Sequence, residues 1–235
     1  MKNKIISWRP RAYIADVAYD RPKNGISVVP SWYKKIPLYA GGETKIKLQN
    51  SSPNTSIKAC SPFLDAISSG YYLCLESDVL VSWEDGQPLF KWRTVSPIVE
   101  SHHPDQHAGF PISEEYFNQG FKWVNEFFIE LPDGYSMFFM HPSNRLDLPF
   151  FSLSGFVDLD IYPAVVNFPF VIKNGFSGVI EKGTPLIQMI PVKRDSWEST
   201  SLPYSKEEGL KRDHKFASKI IRSYKNQFWQ KKEYR

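Results

Sequence analysis

Apolar and polar residues alternate in short runs through most of this chain, and turn residues separate the runs. Alternation at period two predicts half-buried strands. The clearest runs are YYLCLE from Tyr71, VLVSW from Val79 and PLFKWR from Pro88, with an EDGQ turn between the last two. Further on, KWVNEFFIELPDGYSMFFM reads as two strands around Leu131-Pro132-Asp133-Gly134. Pro presets φ there, and Asp-Gly tolerates the positive φ of a turn. After HPSNRLDLPFF come SGFVDLDIY, AVVNFPFVI, a Lys173-Asn174-Gly175 turn, SGVI, a Glu181-Lys182-Gly183 turn and PLIQMIPV. Closely spaced strands of this kind predict a barrel or sandwich-like core.

Helical signals are few. SWYKKIP from Ser31 reads as one turn. SPFLDAIS reads as a short helix that Ser61 can cap, with Pro62 at the first helical position. TKIKLQ, from Thr44, reads as a strand. Near the end, Ser205 and Glu208 have capping-box spacing. Leu210, Ala217, Ile221, Tyr224 and Phe228 then recur at helical spacing with Ile220 beside them, and Lys211, Lys215, Lys219, Arg222 and Lys225 lie largely off that stripe. One basic amphipathic helix is expected from about 205 to 230.

Composition sharpens this picture. The 235 residues include 17 Phe, 12 Tyr and 7 Trp, and 18 Pro against 13 Gly. Aromatics in that number supply burial and argue against a disordered chain. The first forty residues hold Pro10, Pro22, Pro30 and Pro37 among Trp8, Tyr13, Tyr19, Trp32, Tyr33 and Tyr39, which suggests an extended arm packing aromatics onto a body. No apolar run is long enough for a membrane helix, and Arg9, Pro10 and Arg11 interrupt the apolar start, so no signal peptide is read. Cys60 and Cys74 give no disulfide framework and read as reduced thiols.

The net charge of +4 is unevenly placed. Residues 206–235 carry ten Lys/Arg and four Asp/Glu, so the other 205 residues are slightly acidic. The apolar stripe of the C-terminal helix is expected to dock on its own domain or a neighbouring subunit; clustered Lys and Arg can neutralise phosphates, so nucleic acid is the lesser alternative for its basic face. No specific nucleic-acid motif accompanies it.

Four segments occur in a recognisable order: LPDGY, then Pro142-Ser143, then Gly155-Phe156-Val157-Asp158-Leu159-Asp160, then IEKGTPLIQMIPV. Upstream stands AISSGYYLCLE. This order resembles the dUTPase-like β-clip proteins, which include dUTP pyrophosphatases and dCTP deaminases. The resemblance covers about a third of the chain. It implies a β-clip core from about 58 to 195, with an insertion at about 84–122. An N-terminal arm and edge strand (1–57) would precede the core, and the basic helix (204–235) would follow it. The expected fold class is therefore mainly β. The whole chain also resembles a family of hypothetical proteins encoded by tailed phages of marine bacteria. PSWYKKIP, SPFLDA, FFMHPSNR, LSGFVD and KGTPLIQMIPVKRDSW carry that second likeness, which implies a source and no mechanism.

Carried over residue by residue, the first resemblance makes Asp158 the carboxylate that orients an attacking water, with Asp160 beside it. A carboxylate near phosphates can take a proton from water. Ser143, Arg145 and Gln188 would contact a nucleotide ligand, and magnesium would be the cofactor. Several positions depart from the family pattern. Its discriminating Tyr falls on Ile161, with Tyr162 one place late. Its metal-organising Asp falls on Tyr72, and its phosphate-motif Arg on Ser143. Thr184-Pro185 replaces an acid–arginine pair, and the basic helix stands where a phosphate-covering arm would be. A triphosphate needs cations and a metal. The departures argue for a retained fold without the ordinary activity.

Separately, SHHPDQH sets His102, His103, Asp105 and His107 within six positions. His103-x-Asp105 with distant His141 spells a two-histidine, one-carboxylate iron triad, and His103 and His107 with one acid spell a zinc site. Two classes of function follow. One is a non-catalytic phage protein acting in assembly or ligand binding, a homo-oligomer with a trimer as the form the resemblance implies. The other is a diverged enzyme of nucleotide metabolism, a pyrophosphatase or deaminase relative with Asp158 as base. A metal-binding protein is the further alternative. The expected place is the host cytoplasm or the virion, with no membrane partner and no secretion.

Overall fold

The computed structural model describes residues 4–11, 21–49, 52–217 and 224–235. In chain order the first strands are β1 (Ser7–Pro10), β2 (Lys23–Asn24), β3 (Leu48–Gln49), β4 (Ser52–Pro53), β5 (Tyr71–Cys74), β6 (Val79–Glu84), β7 (Gln87–Lys91) and β8 (Val99–Ser101). They are followed by β9 (Phe121–Trp123), β10 (Phe127–Glu130), β11 (Tyr135–Met140), β12 (Phe150–Ser152), β13 (Gly155–Val157), β14 (Phe168–Ile172), β15 (Gly178–Ile180) and β16 (Pro185–Lys193). The α-helices are α1 (Ser31–Lys35), α2 (Ser61–Ser68) and α3 (Lys206–Ala217). The fold is mainly β and its pairings are antiparallel. Two compact units form, one of Met1–Val28 with Gly70–Arg194, the other of Val29–Ser69 with Asp195–Arg235.

Among its described residues the first unit holds four sheets: β1-β10, β13-β11-β16-β5-β2, β12-β14-β9-β8 and β15-β6-β7. Their inner faces meet in one aromatic core. Trp123 of β9 stacks on Phe170 of β14 at 3.9 Å between ring centres, and Phe150 of β12 meets Trp123 edge-on at 5.0 Å. Met137, Ile187 and Met189 lie fully buried in the same cluster. The alternation seen in sequence is realised locally: Phe121 and Trp123 point in, while Lys122 between them reaches Glu100. β16 lies between β11 and β5, and its first five residues are all buried.

Turn chemistry works as the residues dictate. Asp85 and Gly86 both take positive φ and join β6 to β7 in a two-residue hairpin. KWVNEFFIE, however, is two strands, not one. Asn125 interrupts it by exchanging side-chain hydrogen bonds with the Phe127 backbone, at 2.8 and 3.1 Å. This is the competition with the ladder that Asn side chains offer. Nor do the strands flanking Leu131–Gly134 pair with each other. β10 pairs with β1, while β11 lies between β13 and β16. The Leu131 N–H goes instead to the Leu159 carbonyl, 3.2 Å away.

The residues expected as an N-terminal arm divide between the units. β1 and β2 join sheets of the first, and Val29 onward belongs to the second. Tyr13 and Tyr19 lie outside the described residues. The stretch expected as an insertion contributes β7 and β8.

The second unit has its own small core of Val29, Tyr33 and Ile67 with Trp32, Phe63 and Leu64. α2 forms over SPFLDAIS, but its N-cap is Cys60, which makes no capping bond, and Ser61 is already helical. The TKIKLQ run pairs only over Leu48–Gln49. At the tail, Ser205 caps α3 by accepting the Glu208 N–H at 3.3 Å. Residues 218–223, which carry part of the expected stripe and basic face, lie outside the described residues, and a π-helical turn covers Tyr224–Phe228. Among the described residues no helix is long and apolar enough to cross a membrane.

Candidate functional site

Asp158 and Asp160 follow β13 in a tight turn, in which the Asp158 carbonyl accepts the N–H groups of Ile161 and Tyr162 at 3.1 and 2.9 Å. Arg194, one residue past β16, meets both acids. Its guanidinium donates to Asp160 Oδ1 at 2.9 Å and to Asp160 Oδ2. It also stands 3.2 Å from Asp158 Oδ1, and it bonds the Tyr135 carbonyl at 3.1 Å. Gly134 N–H donates to Asp160 Oδ2 at 2.8 Å, and Ser136 Oγ–H donates to Asp158 Oδ1 at 2.6 Å.

The two carboxylates differ in exposure. The Asp160 side chain is 4% exposed and that of Asp158 is 52%. The Arg194 hydrogen bond, helped by Gly134 N–H and the Arg194 charge, holds the Asp160 carboxyl at about 2 against the opposing effect of burial. The same pairing pushes the Arg194 guanidinium up. A carboxylate so stabilised in its charged form is a poor base at neutral pH. Sequence reasoning missed Arg194. Its signal is a cation directly after the last core strand, with two acids after a strand of the same sheet, one strand removed.

The second group lies at the other end of β11. Met140 there is the cross-strand partner of Gln188, whereas Ser136 partners Val192. Four residues of strand separate the two ends, about 13 Å. Gln188 is fully buried, so its amide must be satisfied inside the protein. Its Oε1 accepts the Ser143 N–H at 2.9 Å and the Ser143 Oγ–H at 2.7 Å. Asn144, with φ of 60°, turns the chain there, in the left-handed region that Asn tolerates. Arg145 is spent on Asp147, with Nε and Nη2 on its two oxygens at 2.8 and 2.9 Å. Asp147 is lowered in consequence, although burial raises it. Tyr72 is buried and its hydroxyl is pushed well up by that burial, with the Arg145 charge working the other way.

The structure therefore brings Ser143 to Gln188 and Asp158 to Asp160. Within one chain it does not bring the two pairs together.

His103, Asp105, His107 and His141 are not assembled either. His141 accepts the Ser152 N–H on Nδ1 at 3.2 Å, so its Nε2 is the donor to the Arg145 carbonyl at 3.1 Å. Its ring stacks on Phe151, and burial pushes its pKa down. Both nitrogens are used, and the residue is a clasp between β11 and β12. His103 caps a single 3-10 turn, accepting the Asp105 N–H on Nδ1 while Gln106 Oε1 accepts the His103 N–H. Among the described residues no group of three or more His, Cys, Asp or Glu stands together to hold a metal ion. The iron triad and the three-ligand zinc set read from sequence thus give way to a capping residue and a core clasp. Cys60 and Cys74 are not joined in a disulfide.

No protein-family model, no curated protein and no solved structure matches this chain.

Proposed function

We propose that this chain is a non-catalytic phage protein with a dUTPase-like β-clip core that acts as a homo-oligomer in assembly or ligand binding. The observation that carries the reading is the closure of Arg194 on Asp158 and Asp160. The groups that would perform hydrolysis are already engaged within the chain, as are Arg145 and the Gln188 oxygen. They act as pins between strands. Self-association is supported by the sheet edge that β13 forms among the described residues, where Phe156 is exposed and stacks on Phe138 at 4.4 Å. Ile161 and Tyr162 are exposed in the turn that follows. An open edge with apolar neighbours is a surface that proteins normally cover. In this reading the basic C-terminal helix covers an edge of a neighbouring copy.

The test has two arms. The full chain is incubated with each deoxynucleoside triphosphate and magnesium or manganese, and products are separated by chromatography. All nucleotides should remain intact. Light scattering should give a multiple of the 27.2 kDa chain mass. A monomer at all concentrations would sink the oligomer reading.

The half-exposed Asp158 carboxylate favours a second reading, a diverged nucleotide pyrophosphatase or deaminase relative that uses it as base. That reading requires magnesium-dependent turnover that Asp158→Asn abolishes.

A further inference from the structure

Two imidazole nitrogens in the SHHPDQH segment, His102 Nε2 and His107 Nδ1, are buried and have no hydrogen-bond partner among the described residues. Native proteins leave few such atoms, and each calls for an explanation such as a bound ion. The hydrogen bonding fixes what His102 presents. Gln106 Oε1 accepts the His103 backbone N–H at 3.1 Å, so the amide oxygen faces this way. The same oxygen lies 3.0 Å from His102 Nδ1, which must therefore carry the proton. A neutral ring protonated on Nδ1 keeps a lone pair on Nε2. Histidines that bind metals regularly donate their other N–H to an oxygen in this manner.

His107 is held in place from the other side. Its ring lies against Gly120, where a Cβ would fall 2.1 Å from Cε1. The two rings are T-shaped, with centres 5.0 Å apart. Zinc–nitrogen bonds of about 2.0–2.1 Å at a tetrahedral angle would place two imidazole centres about 5 Å apart. The observed separation fits one shared ion.

We propose that His102 Nε2 and His107 Nδ1 together bind one zinc ion, with water completing its coordination. Imidazole suits zinc. This differs from the sets expected in sequence, because His103 serves the turn as its cap and His141 lies in the core. The ion would tie the end of β8 to the 3-10 turn of Pro104–His107. The site does not depend on whether the chain is an enzyme.

Tag-free full-length chain is titrated with zinc chloride by calorimetry and by nitrogen-15 NMR of the imidazole rings. One ion per chain should bind, with the largest shifts at His102 Nε2 and His107 Nδ1. His102→Ala and His107→Ala should each weaken binding at least about tenfold, Gln106→Ala about 10- to 100-fold, and Gln106→Glu should restore it. His103→Ala should change affinity by less than about threefold. Backbone spectra establish that each variant folds, and for any that does not, the ring shifts of the unaltered chain decide. The proposal is overturned if zinc shifts His103, His141 or His214 instead. It is equally overturned if His102→Ala and His107→Ala bind as before, or if nothing binds at about millimolar zinc.

Discussion

Arg194 grips Asp160 through both carboxylate oxygens, and Gly134 N–H adds a third donor to the same group. The Asp160 carboxyl is held at about 2, below its ordinary 3.8. A group depressed on folding contributes stability that is complete above its unfolded pKa and is lost as pH falls through the folded one. The window here runs from about pH 4 down to about 2. Denaturant midpoints measured across that window should fall more steeply for the unaltered chain than for Asp160→Asn, by at most one proton. Identical slopes would refute the role given to Arg194.

In the second unit, the Trp229 indole N–H donates to both oxygens of Asp65, at 3.1 and 2.8 Å, and Lys232 reaches the same carboxylate at 2.6 Å. This fastens the end of the chain to α2. Hydrogen bonds to a charged acceptor carry more than neutral ones, so Trp229→Phe should cost about 1.5 kcal/mol. Asp65→Asn gives up the charge that strengthens this bond and the Lys232 pair with it, so it should cost at least as much. Thermal unfolding of both variants checks the order, and a clearly smaller loss for Asp65→Asn would contradict it.

Much of the local structure was legible in the residues themselves. Asp85-Gly86, Gly134 and Asn174-Gly175 announce turns because positive φ is cheap there, and all three glycines take it. The alternation of Phe121, Lys122 and Trp123 announces a half-buried strand. Partners were not legible. Nothing near LPDG says that β10 will pair with β1, because register is set by distant apolar faces, not by the turn. The site suffered likewise. The pairing of Asp158 and Asp160 is not visible in the sequence, because their cation lies 36 and 34 residues further on. His141 looked like a ligand because its two backbone partners are fixed only by tertiary packing. In the SHHPDQH cluster the 3-10 turn takes His103 as its cap, a use that only the folded backbone reveals.

Ser143 and Gln188 form the tie at the far end of β11. Removing Ser143 Oγ takes away one of two donors from Gln188 Oε1 and leaves the backbone N–H in place. Ser143→Ala should therefore cost about 1 kcal/mol. Gln188→Leu strands both Ser143 donors near the core and should cost about 2–3 kcal/mol. In the double variant the hydroxyl has no one to lose, so the two losses should fall short of adding by about 1 kcal/mol. Strict additivity in denaturant titrations would show that the tie contributes nothing.

Gly70 tests the packing of β16 on β5. It has φ of +73°, and a Cβ there would sit 2.1 Å from the Met189 carbonyl oxygen. Its own carbonyl accepts the Gly25 N–H at 2.9 Å, so the segment is held from both sides and cannot slide away. Gly134 provides the comparison: its φ is +80°, but no atom lies within 4 Å of its Cβ position. Gly134→Ala should therefore cost only the left-handed strain of a side chain, about 1–2 kcal/mol. Gly70→Ala carries the same strain and must also displace the backbone of a buried central strand. Its cost should exceed that of Gly134→Ala by at least about 1 kcal/mol. Chemical denaturation of the two variants side by side measures the difference. Equal losses would mean that β16 can yield at Met189, and that the close approach seen at Gly70 does not constrain the sheet.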